Sequence, residues 1–344
     1  MGRHTYRIRE IAMQAGLSEA TVDRVLNKRG NVRASTEREV HQAIADLDRQ
    51  QSQLRISGRP FVIDVVMQTP ERFSTIVRSA LEAELPNLRP AVIRARFHFR
   101  ETGTTDEVVA TLDRLTGKRS QGVILKAPAA PEIAAATTRL AAAGVPVVTL
   151  VTDIPDSGRL AYVGMDNRAA GATAAYLLTQ WLRDEPGTVL VTLSSTAFRG
   201  EEEREIGFRA TMRELQPHRP LVDVTESGGL DHTQHDLVLA ALTDDPCIRA
   251  VYSIGGGNVA TVAAFDALGR PCPVFIGHDL DHDNTRLLRD RRLSAVLHHD
   301  LNQDMRRACQ IIMQAHKALP GPIVSWPSNI LVVTPHNMPG RPVM

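Results

Sequence analysis

Beyond residue 60 the chain alternates short apolar runs with longer stretches of helical periodicity, and it does so in two successive series. The first predicts strands over 61–67, 92–99, 122–126 and 145–151, with helices over 73–85, 105–116 and 131–143 between them. The second begins after a predicted helix over 168–182. It has strands over 188–193, 221–225, 250–254 and 274–276, and helices over 202–215, 233–243 and 259–268. Repetition of this kind implies parallel sheets covered by helices. Two similar α/β lobes in series imply a pseudo-symmetric pair with a cleft between them, where ligands sit outside the carboxyl ends of the strands.

Those strand ends supply the cleft candidates. Phe73 follows the first strand, Asp166 and Asn167 follow 161–165, and Arg204 lies in the helix after 188–193. Asn258 follows a Gly255-Gly256-Gly257 run that lets a ligand approach the backbone, and Asp279 follows the strand that starts at Val274. An Asp, an Arg, an Asn and a ring suit a sugar: bidentate groups hold hydroxyls and an aromatic face covers the C–H side. Each has a plainer role too, since Asp279 can cap a helix, Arg204 can pair with Glu201 or Glu203, and Phe73 can be core.

The first fifty residues are organised differently. Ile8, Ile11, Ala12 and Ala15 recur at helical spacing, and Gly16 can stop that helix and turn the chain. Ser18 is placed to cap a second helix with Val22, Val25 and Leu26 on its inner side. Two short helices joined by a Gly-containing turn form a helix-turn-helix, the element that reads DNA in the major groove. Residues 1–60 carry net charge +4 in a chain of +1, so the remainder is −3. A basic head on a slightly acidic body suits phosphate contact by the head alone.

Other classes find less support. The 344 residues and 43% hydrophobic content allow a large core. The start has no apolar signal-peptide region and no run reaches membrane-spanning length, so the expected location is cytoplasmic, with no membrane partner. Three cysteines without metal-type spacing read as free thiols. His278-Asp279-Leu280-Asp281-His282-Asp283 and His298-His299-Asp300 gather imidazoles and carboxylates, but at no standard metal spacing. The Gly255–Gly257 run lacks a P-loop's Lys-Ser/Thr, and there is no Gly-x-Ser-x-Gly elbow. Neither enzyme nor cofactor is expected; a sensor with a non-sugar effector or a metal is the alternative.

The head resembles that of the lactose-repressor (LacI/GalR) family. Thr21-Val22-x-Arg24-Val25-Leu26-Asn27 meets the family's pattern, followed at matching distance by a third helix over 35–47 with Ser35 or Thr36 near its cap. The resemblance implies that Glu19, Ala20 and Arg24 read base edges and that Ser18, Thr21 and Asn27 contact phosphates. Asp23 departs from the family's small hydroxyl residue; it can orient Arg24, pair with Arg29 or simply face solvent. In the following segment the family's Tyr and Pro are missing. Leu54 stands where a minor-groove wedge would be, with Arg55 beside it, and a polar linker is the other reading.

The body resembles the periplasmic sugar-binding fold of the same family, nearest its ribose- and inositol-type branch. The matching motifs are Gly164-Met165-Asp166-Asn167 with Gly171, Arg204-Glu205-Ile206-Gly207-Phe208, and Gly277-His278-Asp279. By that match Arg204 and Asp279 are the leading effector ligands, Asn258 is next, and His299 falls where the family often has Gln. Thr152 or Asp153 is placed near the cleft. The expected organisation is a headpiece over 1–49, a hinge over 50–60, and two lobes, 61–163 with 300–325 and 164–297 with 326–344. The expected protein is a dimeric or tetrameric DNA-binding regulator, a repressor with a sugar or polyol effector. Its partners are double-stranded operator DNA and that effector.

Overall fold

The structure, a computed structural model, describes residues 6–339 apart from 31, 57–60, 90, 118–119 and 184. The head is three helices, α1 (Ile8–Ala15), α2 (Glu19–Leu26) and α3 (Ala34–Ile56). Gly16 ends α1 in the left-handed region (φ 67), which a residue without a Cβ adopts at no steric cost. Ser18 caps α2, its Oγ accepting from Thr21 N at 3.2 Å. Ile11, Ala12, Val22, Val25, Val40 and Ala43 close a small core. Two expectations are corrected here. The third helix begins at Ala34 rather than at 35, and it runs to Ile56 through most of the expected 50–60 hinge. Gln50, Gln51, Gln53, Leu54 and Arg55 are good helix formers, and no Gly or Pro interrupts them before Gly58 and Pro60. The side chains of Leu54 and Arg55 lie outside the described residues.

The body is two doubly wound lobes. The first contains β1 (Phe61–Gln68), α4 (Glu71–Glu84), β2 (Ile93–Arg100), α5 (Thr105–Thr116), β3 (Gly122–Lys126), α6 (Pro131–Ala142), β4 (Val147–Leu150) and β5 (Ala161–Met165). The second contains α7 (Asn167–Leu182), β6 (Thr188–Thr192), α8 (Arg199–Leu215), β7 (Leu221–Val224), α9 (Asp231–Asp244), β8 (Ile248–Ser253), α10 (Asn258–Ala267), β9 (Val274–His278), α11 (His282–Arg289) and β10 (Ala295–His298). The chain then returns through α12 (Leu301–Ala315), which packs in the first lobe's core, and adds β11 (Trp326–Ser328) and β12 (Leu331–Val333). Sheet order is β11-β5-β4-β3-β1-β2 in one lobe and β12-β10-β9-β8-β6-β7 in the other. The five main strands of each follow the same parallel order. Among the described residues only β12, against β10, is antiparallel.

The lobe boundaries shift slightly from expectation. β5 runs past 163 to Met165, β10 runs to His298, and β11 pairs with Val163–Met165, so Trp326–Ser328 belongs to the first sheet. The last crossing therefore lies between Ser328 and Leu331. The order reverses at β1/β3 and at β6/β8, and the crevice outside those strand ends is where such sheets bind ligands.

Candidate functional site

Both reversal points open onto one cavity of about 480 Å³ between the lobes. The first lobe lines it with Gln68 at the end of β1, Arg72 and Phe73 on α4, and Lys126 at the end of β3. The second contributes Ser194 and Phe198 before α8, Glu201 and Arg204 on α8, His278 at the end of β9, and Asp279, Asp281 and Asn284 after it. The lobes touch beside it. Ala129 N donates to Ala197 O at 2.9 Å, Gly200 N to Thr152 Oγ1 at 2.9 Å, and Asn167 Nδ2 to Val151 O at 3.0 Å.

Arg204 is held by backbone packing. A Cβ on Gly171 of α7 would lie under 3.0 Å from Arg204 O, and one on Gly207 of α8 under 3.0 Å from Arg168 O. The two helices therefore touch backbone to backbone, which sets the root of Arg204. Its guanidinium is fixed by Nε donating to Asn167 Oδ1 at 2.8 Å and Nη1 to Ile254 O at 3.2 Å, while buried Nη2 has no partner. Asp279 takes φ 65, and Val151 and Glu226, on the same cavity, also have positive φ. For β-branched Val151 this is a strained conformation, held by Tyr162 Oη and Asn167 Nδ2 donating to its carbonyl. Asp279 Oδ1 is buried without a hydrogen-bond partner.

The remaining expected residues divide between the cavity and positions behind or beside it. Phe73 lines the cavity. Asn258 does not; its Nδ2 donates to Asn284 Oδ1 at 2.7 Å, so it reaches the cavity through Asn284. His299 is fully buried outside the lining, with Nδ1 on Asp304 and Nε2 3.8 Å from Asp279 Oδ1, so it backs Asp279. Asp166 caps α7, accepting from Ala169 N at 2.9 Å, and its neighbour Asn167 is the residue that meets Arg204. Asp153 is occupied by Thr149 Oγ1, Ile154 N and Arg159, and Thr152 takes the place at the cavity. Arg204 pairs with neither Glu201 nor Glu203: Glu201 accepts from Ser194 N at 2.8 Å, and Glu203 from Arg199 Nε at 3.1 Å.

Sequence reasoning missed Lys126. Its Nζ donates to Gln68 O at 3.3 Å and lies 4.4 Å from the Phe198 ring centroid and 5.7 Å from that of Phe73. Desolvation lowers its ammonium to about 8, although Glu201 and Asp279 pull the other way. The signal was present: Lys126 is the charge that ends an apolar strand, at the edge where such sheets bind ligands. Among the described residues, no group of three or more His, Cys, Asp or Glu is placed to hold a metal ion. His278 hydrogen-bonds Tyr252 Oη through Nε2, and burial holds its pKa well below the ordinary value.

On the head, Glu19, Ala20, Arg24 and Asn27 stand exposed on or next to α2. Asp23 turns away from Arg24: it accepts from Asn27 Nδ2 at 2.7 Å and pairs with Arg29 at 3.7 Å. Ser18 Oγ lies 2.8 Å from Thr21 Oγ1.

This is the architecture of a ligand-binding domain joined to a DNA-reading head. The chain belongs to the family described as periplasmic binding protein domain, whose profile matches residues 63–318, and residues 7–49 match bacterial regulatory proteins, lacI family. It joins an N-terminal lacI-family DNA-binding domain to a periplasmic-binding-protein-like body. No curated protein sequence matches it. Similar solved structures include a glucose-galactose binding protein from Geobacillus stearothermophilus (19% identity, 82% of this chain and 99% of that one, TM-score 0.72). Another is a Bacteroides fragilis chain assigned to the LacI transcriptional regulators (16%, 81% and 98%, TM-score 0.72). A third is a carbohydrate transporter from Acidothermus cellulolyticus in complex with myo-inositol (18%, 81% and 96%, TM-score 0.70). At these identities the likeness is one of fold. No helix among the described residues is long and apolar enough to cross a membrane.

Proposed function

We propose that the protein is a repressor whose hold on double-stranded operator DNA is set by a small sugar, polyol or sugar derivative bound between its lobes. One observation carries the effector class. Arg204 and Asp279 line the same cavity, and each keeps a buried polar atom without a partner, a donor on Nη2 and an acceptor on Oδ1. Unpaired buried groups are costly. Neighbouring hydroxyls, which both give and accept, answer the two together, and Phe73 and Phe198 offer ring surface to the C–H face. The glucose-galactose binding protein and the myo-inositol complex among the structural neighbours agree with this reading.

On the DNA side, exposed Arg24 carries the guanidinium fork that suits guanine O6 and N7, with Glu19 and Ala20 beside it and Ser18, Thr21 and Asn27 near phosphates. Two heads of a homodimer, or of a pair of dimers, read two half-sites. An effector that prefers one lobe arrangement shifts the equilibrium between DNA-competent and released forms by that differential affinity alone.

The test is thermal melting against D-glucose, D-galactose, D-ribose, myo-inositol and their acidic derivatives, followed by binding to duplexes selected from a random pool. A ligand that raises Tm and changes duplex affinity is expected, with Asp279→Ala losing the Tm shift while still binding duplex. Intact duplex binding with no hit in the panel overturns the sugar and polyol reading.

A further inference from the structure

The charges around the cavity do not balance pairwise. Glu201 accepts from Ser194 N, Ser194 Oγ and Ser195 N. Asp281 caps α11 through Asn284 N and faces Arg72 at 3.8 Å across the lobes. Glu226 accepts from Thr196 N and Oγ1, and Glu101 from Glu71 N. Among the described residues four of the five lining carboxylates are thus met by hydrogen-bond donors, while Asp279 keeps a buried oxygen with no hydrogen bond and only His299 Nε2 at 3.8 Å behind it. Of the cations, Arg72 has Asp281. Lys126 and Arg204 have no carboxylate within ion-pair distance among the described residues, only carbonyl and amide oxygens.

Lys126 is the more telling of the two. Gln68 O takes one of its three N–H donors. Two phenyl rings flank it, and rings compensate a cation only in part. If its purpose were to meet a hydroxyl, Asn or Gln would do so without withdrawing a charge from water. An ammonium in this place is repaid most fully by a negative partner. It sits at the β1/β3 reversal of the first lobe, across the cavity from Arg204 and Asp279, so one ligand can span both sets of groups.

We infer that the effector is an anionic polyhydroxylated molecule whose carboxylate or phosphate docks on Lys126 while its hydroxyls meet Arg204 and Asp279. This rests on the polyhydroxylated-effector reading and adds the charge. The other charged groups facing Lys126 are Arg72 from α4, Arg204 and Glu201 from α8, and Asp279 after β9; His278 is held neutral by burial.

Calorimetric titration of the full-length protein with matched sets tests it: D-glucose, D-glucuronate and D-glucose 6-phosphate, then D-ribose, D-ribonate and D-ribose 5-phosphate. At pH 7 an anionic member is expected to bind at least about tenfold tighter than its neutral parent. The carboxylate and phosphate arms show which anion it is. Lys126→Met is expected to abolish the anion's advantage over its neutral parent, and Lys126→Gln to behave likewise. Neutral parents that bind as tightly as their anions overturn the inference and leave the polyol reading standing, as does a Lys126→Met that weakens both equally. Should no member of either class bind, both readings fall. If neither variant folds, the wild-type pH profile decides. Lys126 loses its proton as pH rises through about 8, so carboxylate affinity is expected to fall above that pH while parent affinity stays level. A level carboxylate profile overturns the inference.

Discussion

The two walls of the cleft are built on the same strand order but by different means. The second lobe presents fixed polar groups. Arg204 is rooted by backbone-to-backbone helix packing and held by Asn167 and Ile254, and Asp279 is set in a left-handed turn with His299 behind it. The first lobe presents a ring, an amide, Arg72 and a lysine whose one protein hydrogen bond is to a strand carbonyl. Arg72 reaches across to Asp281 and lies against Gly256, where a Cβ would sit under 3.0 Å from Nη2. On the proposed reading, discrimination among hydroxyls falls to the rigid wall, and contact made on closure to the other. A preformed wall sets orientation before the lobes meet, which lowers the ordering cost of binding.

The sharpest way to break this comparison is to thicken a helix contact in each lobe. In Gly207→Ala the new methyl meets backbone, Arg168 O and C, and cannot be accommodated without parting α7 from α8. A loss of about 3 kcal/mol or more in urea unfolding is expected, together with loss of effector binding through Arg204. Gly122→Ala in the first lobe meets a side chain rather than backbone, that of buried Ile312. There the expected loss is roughly 1 to 2 kcal/mol, with effector affinity kept. Equal losses would mean that the walls do not differ in rigidity.

Acid titration sharpens the contrast with a smaller effect, because the two lobes hold buried carboxylates displaced in opposite directions. Asp64 in β1 is buried, which by itself raises its pKa; hydrogen bonds from His98, Arg96 and Ser120 outweigh burial and hold it at about 2. Its folded value lies below the unfolded one, so its contribution is present above pH 4 and is lost as pH falls toward 2. Asp281 runs the other way. Burial lifts it to about 6 against the pull of Asn284 N and Arg72, with Asp279 and Asp283 adding to the rise. Its folded value exceeds the unfolded one, so acidifying from pH 7 to 4 adds stability through this group. Urea midpoints across pH are expected to lose the upper feature in Asp281→Asn and the lower one in Asp64→Asn. Profiles unchanged by either substitution would remove both assignments.

The lobes also differed in how far they could be read beforehand. Arg204 and Asp279 sit in motifs whose glycines are required by close packing, so pattern and position agreed. Phe73 stood just beyond a strand end. Lys126 closes an apolar strand and looks like its polar terminus until β1 and β3 are known to be neighbours across the reversal point. Asn258 and His299 belong to the right neighbourhood but face Asn284 and Asp304, and periodicity does not say which side of a loop a side chain takes. The helical character of 50–56 was hidden by its Gln, Ser and Arg content, which fits a linker as well as a solvated helix.

The smallest effect separates two adjacent residues of one motif. Asp166 and Asn167 both follow β5, and residue type alone favours the carboxylate as a sugar ligand. Helix geometry decides otherwise. The residue before the first turn of α7 turns its side chain back onto the exposed amides, so Asp166 accepts from Ala169 N, while Asn167, one position on, points inward to Arg204. Asp166→Ala is therefore expected to cost about 1 kcal/mol of stability with effector affinity unchanged. Asn167→Ala leaves Arg204 Nε without its acceptor and is expected to weaken effector binding more than folding. Calorimetry on the two variants side by side checks the division. A tenfold or greater loss of effector affinity in Asp166→Ala would return that carboxylate to the binding wall.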